Sequence, residues 1–276
     1  MKQQNWLVIS FMGMILLLPA QLLAEPTRFE IGVGLLDFDY VEYDDNNVFL
    51  DGESGLIPGV IAKVKTDDRI YYEWEGSVYY NTIEYDGQTQ GGAPVKTDSD
   101  ALVIDTHFKV GVKLAPAYGR NQKIYAGLGY RYWYRNIRSG QDIFGNPVAG
   151  LLEEYSWYYG LVGYEVYFAA SSSVNVGFDL RLNKMFSAKL DVDFLGFNGF
   201  DNSELHLGNR VGARFAVPVE IKYPSSTIIV APYYEIIDIG RSNDVRVLSG
   251  GVPTTTVIHE PRSETRNIGV EVTWLW

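Results

Sequence analysis

A ten-stranded antiparallel transmembrane β-barrel is the fold class this 276-residue sequence predicts, and three observations carry it. Apolar and polar residues alternate in segment after segment. The alternation runs to the final residue in "NIGVEVTWLW", although chain termini usually fray into polar residues. The links between segments are short and long by turns.

The first element stands apart from the rest. Lys2, the apolar run "WLVISFMGMILLLPA" and then "QLLA" before Glu25 read as a secretory signal peptide over 1–24, leaving 25–276 as one barrel domain. Mean hydropathy is near zero. No later stretch is apolar enough for a spanning helix, so any membrane crossing falls to strands.

Period-two alternation then predicts strands near 28–43, 55–65, 69–85, 100–114, 122–136, 153–168, 173–185, 205–221, 227–239 and 263–276. An eight-stranded barrel follows instead if two of these segments are loop hairpins. The links at 66–68, 115–121, 169–172 and 222–226 are short; those at 44–54, 86–99, 137–152, 186–204 and 240–262 are long and polar. Short turns at one end and long loops at the other, with an even strand count, fit an outer-membrane barrel of a Gram-negative bacterium, both termini periplasmic.

The faces follow from the period. Leu102, Ile104, Phe108, Val110 and Val112 share one face, and Asp105, His107 and Lys109 share the other. Ile124, Ala126, Leu128, Tyr130, Tyr132 and Tyr134 oppose Gly127, Gly129, Arg131, Trp133 and Arg135. Aromatic residues gather at the ends of apolar faces, as Tyr80, Tyr130, Phe168 and Trp276 do, which suits two membrane interfaces. The first strand breaks the pattern, because Asp37 and Asp39 fall on the lipid side. A bulge near Leu35–Leu36 that returns Phe38 and Tyr40 to lipid is the expected remedy.

The stretches "DYVEYDD", "DGESGLIPGV", "YDGQTQGGAPVKT", "GLGYRYWYRNIRS" and "EPRSETRNIGVEV" resemble a family of uncharacterised, porin-like proteobacterial outer-membrane β-barrel proteins. That resemblance implies the barrel and its location, and carries no reaction with it. Gly269, Val272, Trp274 and Trp276 resemble the C-terminal signal by which such proteins are recognised for assembly, here ending in Trp where many end in Phe. It implies periplasmic chaperones and the barrel-assembly machinery as partners, with outer-membrane lipid and lipopolysaccharide around the wall. An extracellular ligand is left open.

Composition narrows the chemistry. There is no cysteine, hence no disulfide or thiolate site, and a net charge of −11 argues against nucleic acid. Three scattered histidines give no metal-ligand spacing, "GLGYR" has no following helix to make a phosphate loop, and His206 and His259 lack a serine partner. No cofactor is expected. Asp105 and His107 are the sharpest catalytic pair, since omptin proteases are also ten-stranded barrels carrying an Asp and His pair. The pair is placed inside the wall, however, and Asp191 and Asp193 in a long loop, so no catalytic residue is assigned.

Inward charges are nearly balanced. Glu73, Glu75, Asp105, His107, Lys109, Arg131, Arg135, Glu165, Asp179, Arg181, Arg210, Arg214, Glu235 and Glu271 are expected to form one interior network. A self-neutralised lumen favours a structural or surface-interaction barrel. The alternative is a narrow porin-like channel, and after it an omptin-like protease.

Overall fold

The structure is a computed structural model and describes residues 27–89, 91–115 and 120–276. The expected signal peptide lies outside the described residues.

Sixteen strands are formed: β1 Thr27–Tyr43, β2 Phe49–Thr66, β3 Ile70–Gln88, β4 Pro94–Lys113, β5 Arg120–Ile137, β6 Gly140–Gln141, β7 Pro147–Val148, β8 Leu151–Ala169, β9 Val174–Asp193, β10 Ser203–His206, β11 Val211–Ala216, β12 Val219–Lys222, β13 Thr227–Ile239, β14 Val245–Ser249, β15 Val252–Ile258 and β16 Arg262–Leu275. β1, β2, β3, β4, β5, β8 and β9 follow one another around an antiparallel wall, and β13 and β16 complete it. Between β9 and β13 runs one interrupted strand in three pieces, β10, β11 and β12. β16 pairs with both β13 and β1, which closes a barrel of ten strands. The small hairpins β6–β7 and β14–β15 rise from loops.

Glu30 faces Leu275 across the closing seam, and Phe29 and Trp276 exchange backbone hydrogen bonds at 3.5 and 3.2 Å. Both ends of the described chain therefore meet at the end of the barrel that carries the short turns. That end is called the terminal end below, and the other the loop end.

A band of apolar side chains circles the outside. On β4 it runs from Leu102 to Val112 and on β5 from Ile124 to Tyr134, each with alternate residues pointing outward. Eleven residues at about 3.3 Å each, tilted as barrel strands are, give a belt about 25 Å tall, the thickness a lipid core requires. Tyr80, Tyr158, Trp274 and Trp276 are exposed along its edges.

The wall continues well past this belt. Strands β1 to β5, β8 and β9 are 17 to 20 residues long, against the 9–11 or so that a membrane needs. Above the belt the outward residues become polar: Asp37 and Asp39 on β1, Thr82, Glu84 and Asp86 on β3, Lys96, Asp98 and Asp100 on β4. The inward residues become apolar at the same level. Leu36, Phe38, Tyr40, Ile57, Tyr79, Val103, Trp133, Tyr155, Trp157 and Leu190 form one buried cluster across the barrel. Trp133 stacks on Tyr155 at 4.6 Å and meets the edge of Tyr40 at 4.8 Å.

Three expectations are corrected by this arrangement. No bulge occurs at Leu35–Leu36: the β1 register against β16 and β2 is unbroken there, and Phe38 and Tyr40 are buried inside. Asp37 and Asp39 need no rescue from lipid because they stand above it. The loops expected at 44–54, 86–99 and 186–204 shrink to 44–48, 89–93 and 194–202, because strand pairing continues through them. Asp191 and Asp193 lie on β9, not in a loop. The register shifts instead at the upper end of the β1–β2 ladder, between Glu42 and Tyr43, and on β9, where it slips between the pairs Tyr158–Phe186 and Ser156–Lys189 and Ser187 takes φ 51°. The slip on β9 turns Ala188, Leu190 and Val192 inward.

Glycine allows the closest approaches in the wall. A Cβ at Gly129 would overlap the Tyr159 ring, and one at Gly269 would overlap Tyr233. Gly269, singled out as part of an assembly signal, thus also seats an interior aromatic ring.

The belt implies a position-dependent cost of charge. Leu128→Arg, at mid-belt, should destabilise the barrel by about 2–4 kcal/mol in lipid vesicles, whereas Glu84→Arg, above the belt, should change it by at most about 1 kcal/mol. Urea unfolding of both variants in the same vesicles checks the difference.

Candidate functional site

Strand parity delivers the interior charges, and the register decides which of them meet. Asp105 on β4 is paired with Arg131 on β5, so their side chains leave the wall side by side. Arg131 Nε donates to Asp105 at 2.7 Å, while its two terminal nitrogens donate to both oxygens of Glu235 at 3.0 and 3.1 Å. Arg181 also reaches Glu235, at 3.3 Å. Lower down, Lys63 lies between Glu75 at 2.9 Å and Glu271 at 3.2 Å, Arg214 pairs with Glu271 at 2.5 Å, Lys109 with Glu73 at 2.7 Å, and Lys123 with Glu165 at 3.1 Å. Lys65 pairs with Glu30. Asp179 accepts from the Tyr125 hydroxyl at 2.6 Å.

These groups are mostly buried, and each charge is paired or hydrogen-bonded, which is the condition for keeping charge out of bulk water. The cavity among them, lined by Glu75, Asp105, Arg131, Arg181 and Glu235, is only about 50 Å³. That is room for a few waters and no larger solute.

Asp105 and His107 do come together, with Nδ1 and Oδ1 at 3.4 Å. Asp105 is already held by Arg131 and by the Tyr159 hydroxyl, which donates at 2.7 Å, and His107 is 2% exposed with Arg181 at 3.5 Å on its other nitrogen. The pair is a knot in the wall's interior, out of reach of a substrate at the mouth. Among the described residues no three His, Cys, Asp or Glu side chains are placed to hold a metal ion.

Two of the residues expected in the network, Arg210 and Arg135, stand apart from these pairs. Arg210 is exposed, because the chain leaves the ladder at 207–210 and the inward parity of Arg214 does not carry back to it. Arg135 is fully buried but belongs to a second cluster, above the belt. Its guanidinium binds Glu42 at 2.9 Å, Asp51 at 3.2 Å, Glu53 at 2.8 Å and Glu153 at 2.7 Å. Glu260, from the loop that follows β15, completes this cluster: its Oε1 accepts from Tyr40 at 3.0 Å and Tyr155 at 2.8 Å.

Five carboxylates thus gather around one cation. Burial, with Glu153 nearby and only partly offset by Arg135, pushes the Glu260 carboxyl up to about 8. Sequence reasoning missed this cluster because Asp51 and Glu53 were read as loop and Tyr40 as lipid-facing. Unbroken alternation through "DFDYVEY" was the signal that could have found Tyr40 and Glu42.

A carboxyl whose folded pKa exceeds its unfolded value binds a proton on folding, so the stability it contributes is lost as pH rises through about 8. Arg135→Met leaves Glu42, Asp51, Glu53, Glu153 and Glu260 without their cation, although the Tyr40, Tyr85 and Tyr155 hydroxyls and Ser99 still donate to them. It should cost about 3–5 kcal/mol above about pH 8, and progressively less as the pH falls below that value and the carboxyls take up protons. Urea unfolding on both sides of that value checks this; equal losses would show that the carboxylates are not the cause.

No family model matches the sequence, and no curated protein matches it. Among solved structures the chain is similar to the outer membrane protease OmpT from Escherichia coli, at 10% identity over 91% of this chain and 96% of that one, with a TM-score of 0.60. It is also matched to the toluene transporter TodX from Pseudomonas putida, at 9% identity over 93% and 92% of the two chains, TM-score 0.34. The outer membrane protein OprG from Pseudomonas aeruginosa matches at 12% identity over 91% and 95%, TM-score 0.33. The last two superpose too loosely to bear on any conclusion. The first establishes the fold alone: a ten-stranded β-barrel of the outer-membrane kind.

Proposed function

We propose that this protein is a closed barrel of the Gram-negative outer membrane, a structural or surface-interaction protein with its loop end outward, its termini toward the periplasm and no catalytic activity. The observation that carries this reading is the aromatic and aliphatic plug of Phe38, Tyr40, Trp133, Tyr155 and Trp157 across the lumen. A conducting pore needs a continuous polar path, and here such a path would have to pass both the plug and the ion-paired interior beneath it. Lipid and lipopolysaccharide are the surroundings that the apolar belt fits. The outward polar walls above it are the surface offered to other molecules.

In a planar bilayer the purified protein should therefore give no steady conductance. Reproducible ohmic steps would overturn the closed reading in favour of a narrow channel.

Assembly supplies a second measurement. Trp276 is exposed on the lipid side beside Trp274, at 6.2 Å between rings. Its side chain contributes at most about 1.5–3 kcal/mol of burial, which a closed barrel survives. If the aromatic end is read by the assembly machinery, deleting Trp276 should remove most of the folded, heat-modifiable protein from membrane fractions, while Trp276→Phe should be tolerated. Normal amounts after the deletion would reduce the motif to strand packing.

A further inference from the structure

The loop end holds a cleft of about 520 Å³ above the plug. Its wall is apolar, formed by Leu151, Leu190, Val192, Phe194, Leu205 and Ile258, and Glu153 and Glu260 also line it. That volume is in the range of small-molecule sites, which combine apolar walls with a few placed polar groups.

Glu260 is the informative group. It is 4% exposed, and its Oε1 is taken by the Tyr40 and Tyr155 hydroxyls. Neither hydroxyl engages its Oε2, and the residue lines the cleft. A carboxylate oxygen that these hydroxyls leave free at the edge of a cavity is a site for a donor. Around it stand Glu42, Asp51, Glu53 and Glu153 against the one guanidinium of Arg135; burial raises the Glu260 carboxyl to about 8, so the floor carries excess negative charge once the pH passes that value. Arg138 on the rim is already paired with Asp98 and Asp100 and offers little to an anion.

We propose that this cleft binds an organic cation bearing an apolar group, a primary ammonium on an aryl or alkyl stem. The ammonium donates to Glu260 Oε2 and faces Glu153, and the stem lies along the apolar wall. A carboxylate ligand would meet like charge, and a neutral apolar ligand would leave the carboxylate unanswered. The carboxylates are not arranged around a common point for a metal ion. The inference deepens the surface-interaction reading and rests on it for which end meets the medium; a conducting barrel would leave the cleft as it is, so the two fail in separate experiments.

The test is calorimetric titration of the full folded chain with phenethylammonium, phenethyl alcohol and phenylacetate at about pH 9, above the value of about 8 to which burial raises Glu260. Saturable binding of the ammonium is expected, with the alcohol and the carboxylate weaker by about tenfold or more. Glu260→Gln keeps a carbonyl to accept from both tyrosines and should abolish the preference for ammonium over alcohol. Phe194→Ala should weaken both ligands alike. Heat-modifiability establishes that each variant is folded, and if Glu260→Gln is not, the ranking of the three probes on the native chain decides alone. No saturable binding, equal affinity for the three probes, or a preference that survives Glu260→Gln overturns the proposal.

Discussion

Strands that run beyond the edge of a membrane must exchange inside for outside at one level around the whole wall. Below that level lipid demands apolar side chains outside, and the enclosed face is free to be polar. Above it water takes the outside, and the enclosed face must supply a core of its own. Here Thr82, Asp100 and Asn136 lie beside one another across three strands, just past the outward Tyr80, Leu102 and Tyr134. On the inner face the change runs from Asp105 and Arg131 to Val103 and Trp133. The barrel is thus a membrane protein at one end and an ordinary soluble β-structure at the other, joined without a break in the backbone ladder.

The two ends handle charge differently. In the belt, carboxylates and cations alternate from strand to strand, so each guanidinium or ammonium is shared between neighbours and the interior approaches neutrality. Above the belt, Arg135 alone answers Glu42, Asp51, Glu53 and Glu153, with Tyr40 and Tyr155 supplying the donors that Glu260 uses. The first arrangement stiffens a wall. The second stores an imbalance beside an open cleft.

Ten strands and their order were legible in the sequence because lipid enforces alternation strictly; Leu102 to Val112 and Ile268 to Trp276 leave little choice. The interior pairs were legible by parity, as Asp105 with Arg131 illustrates. Strand ends at the loop side were not, since there the phase of the pattern inverts. Leu36, Phe38 and Tyr40 carry apolar character onto the face that holds Gly32 and Gly34 lower down, and a template for lipid-facing strands reads that inversion as a bulge or a loop. Glu260 was beyond reach for another reason. It comes from a loop, where no period ties position to direction, and only the docking of that loop on Tyr40 and Tyr155 gives it a role.

The bulge of β9 and the gap between β10 and β11 occupy the same place: Leu207 donates to the Ala188 carbonyl and Met185 to that of Arg210, on either side of the slip at Ser187. Gly208 and Gly240 bridge to each other alongside, so close that a Cβ on Gly240 would overlap the Gly208 backbone. This line falls where lipid gives way to water, and two adjacent strands are irregular together along it. The wall is held at that height by isolated backbone hydrogen bonds, where the strands to either side are tied by a continuous ladder.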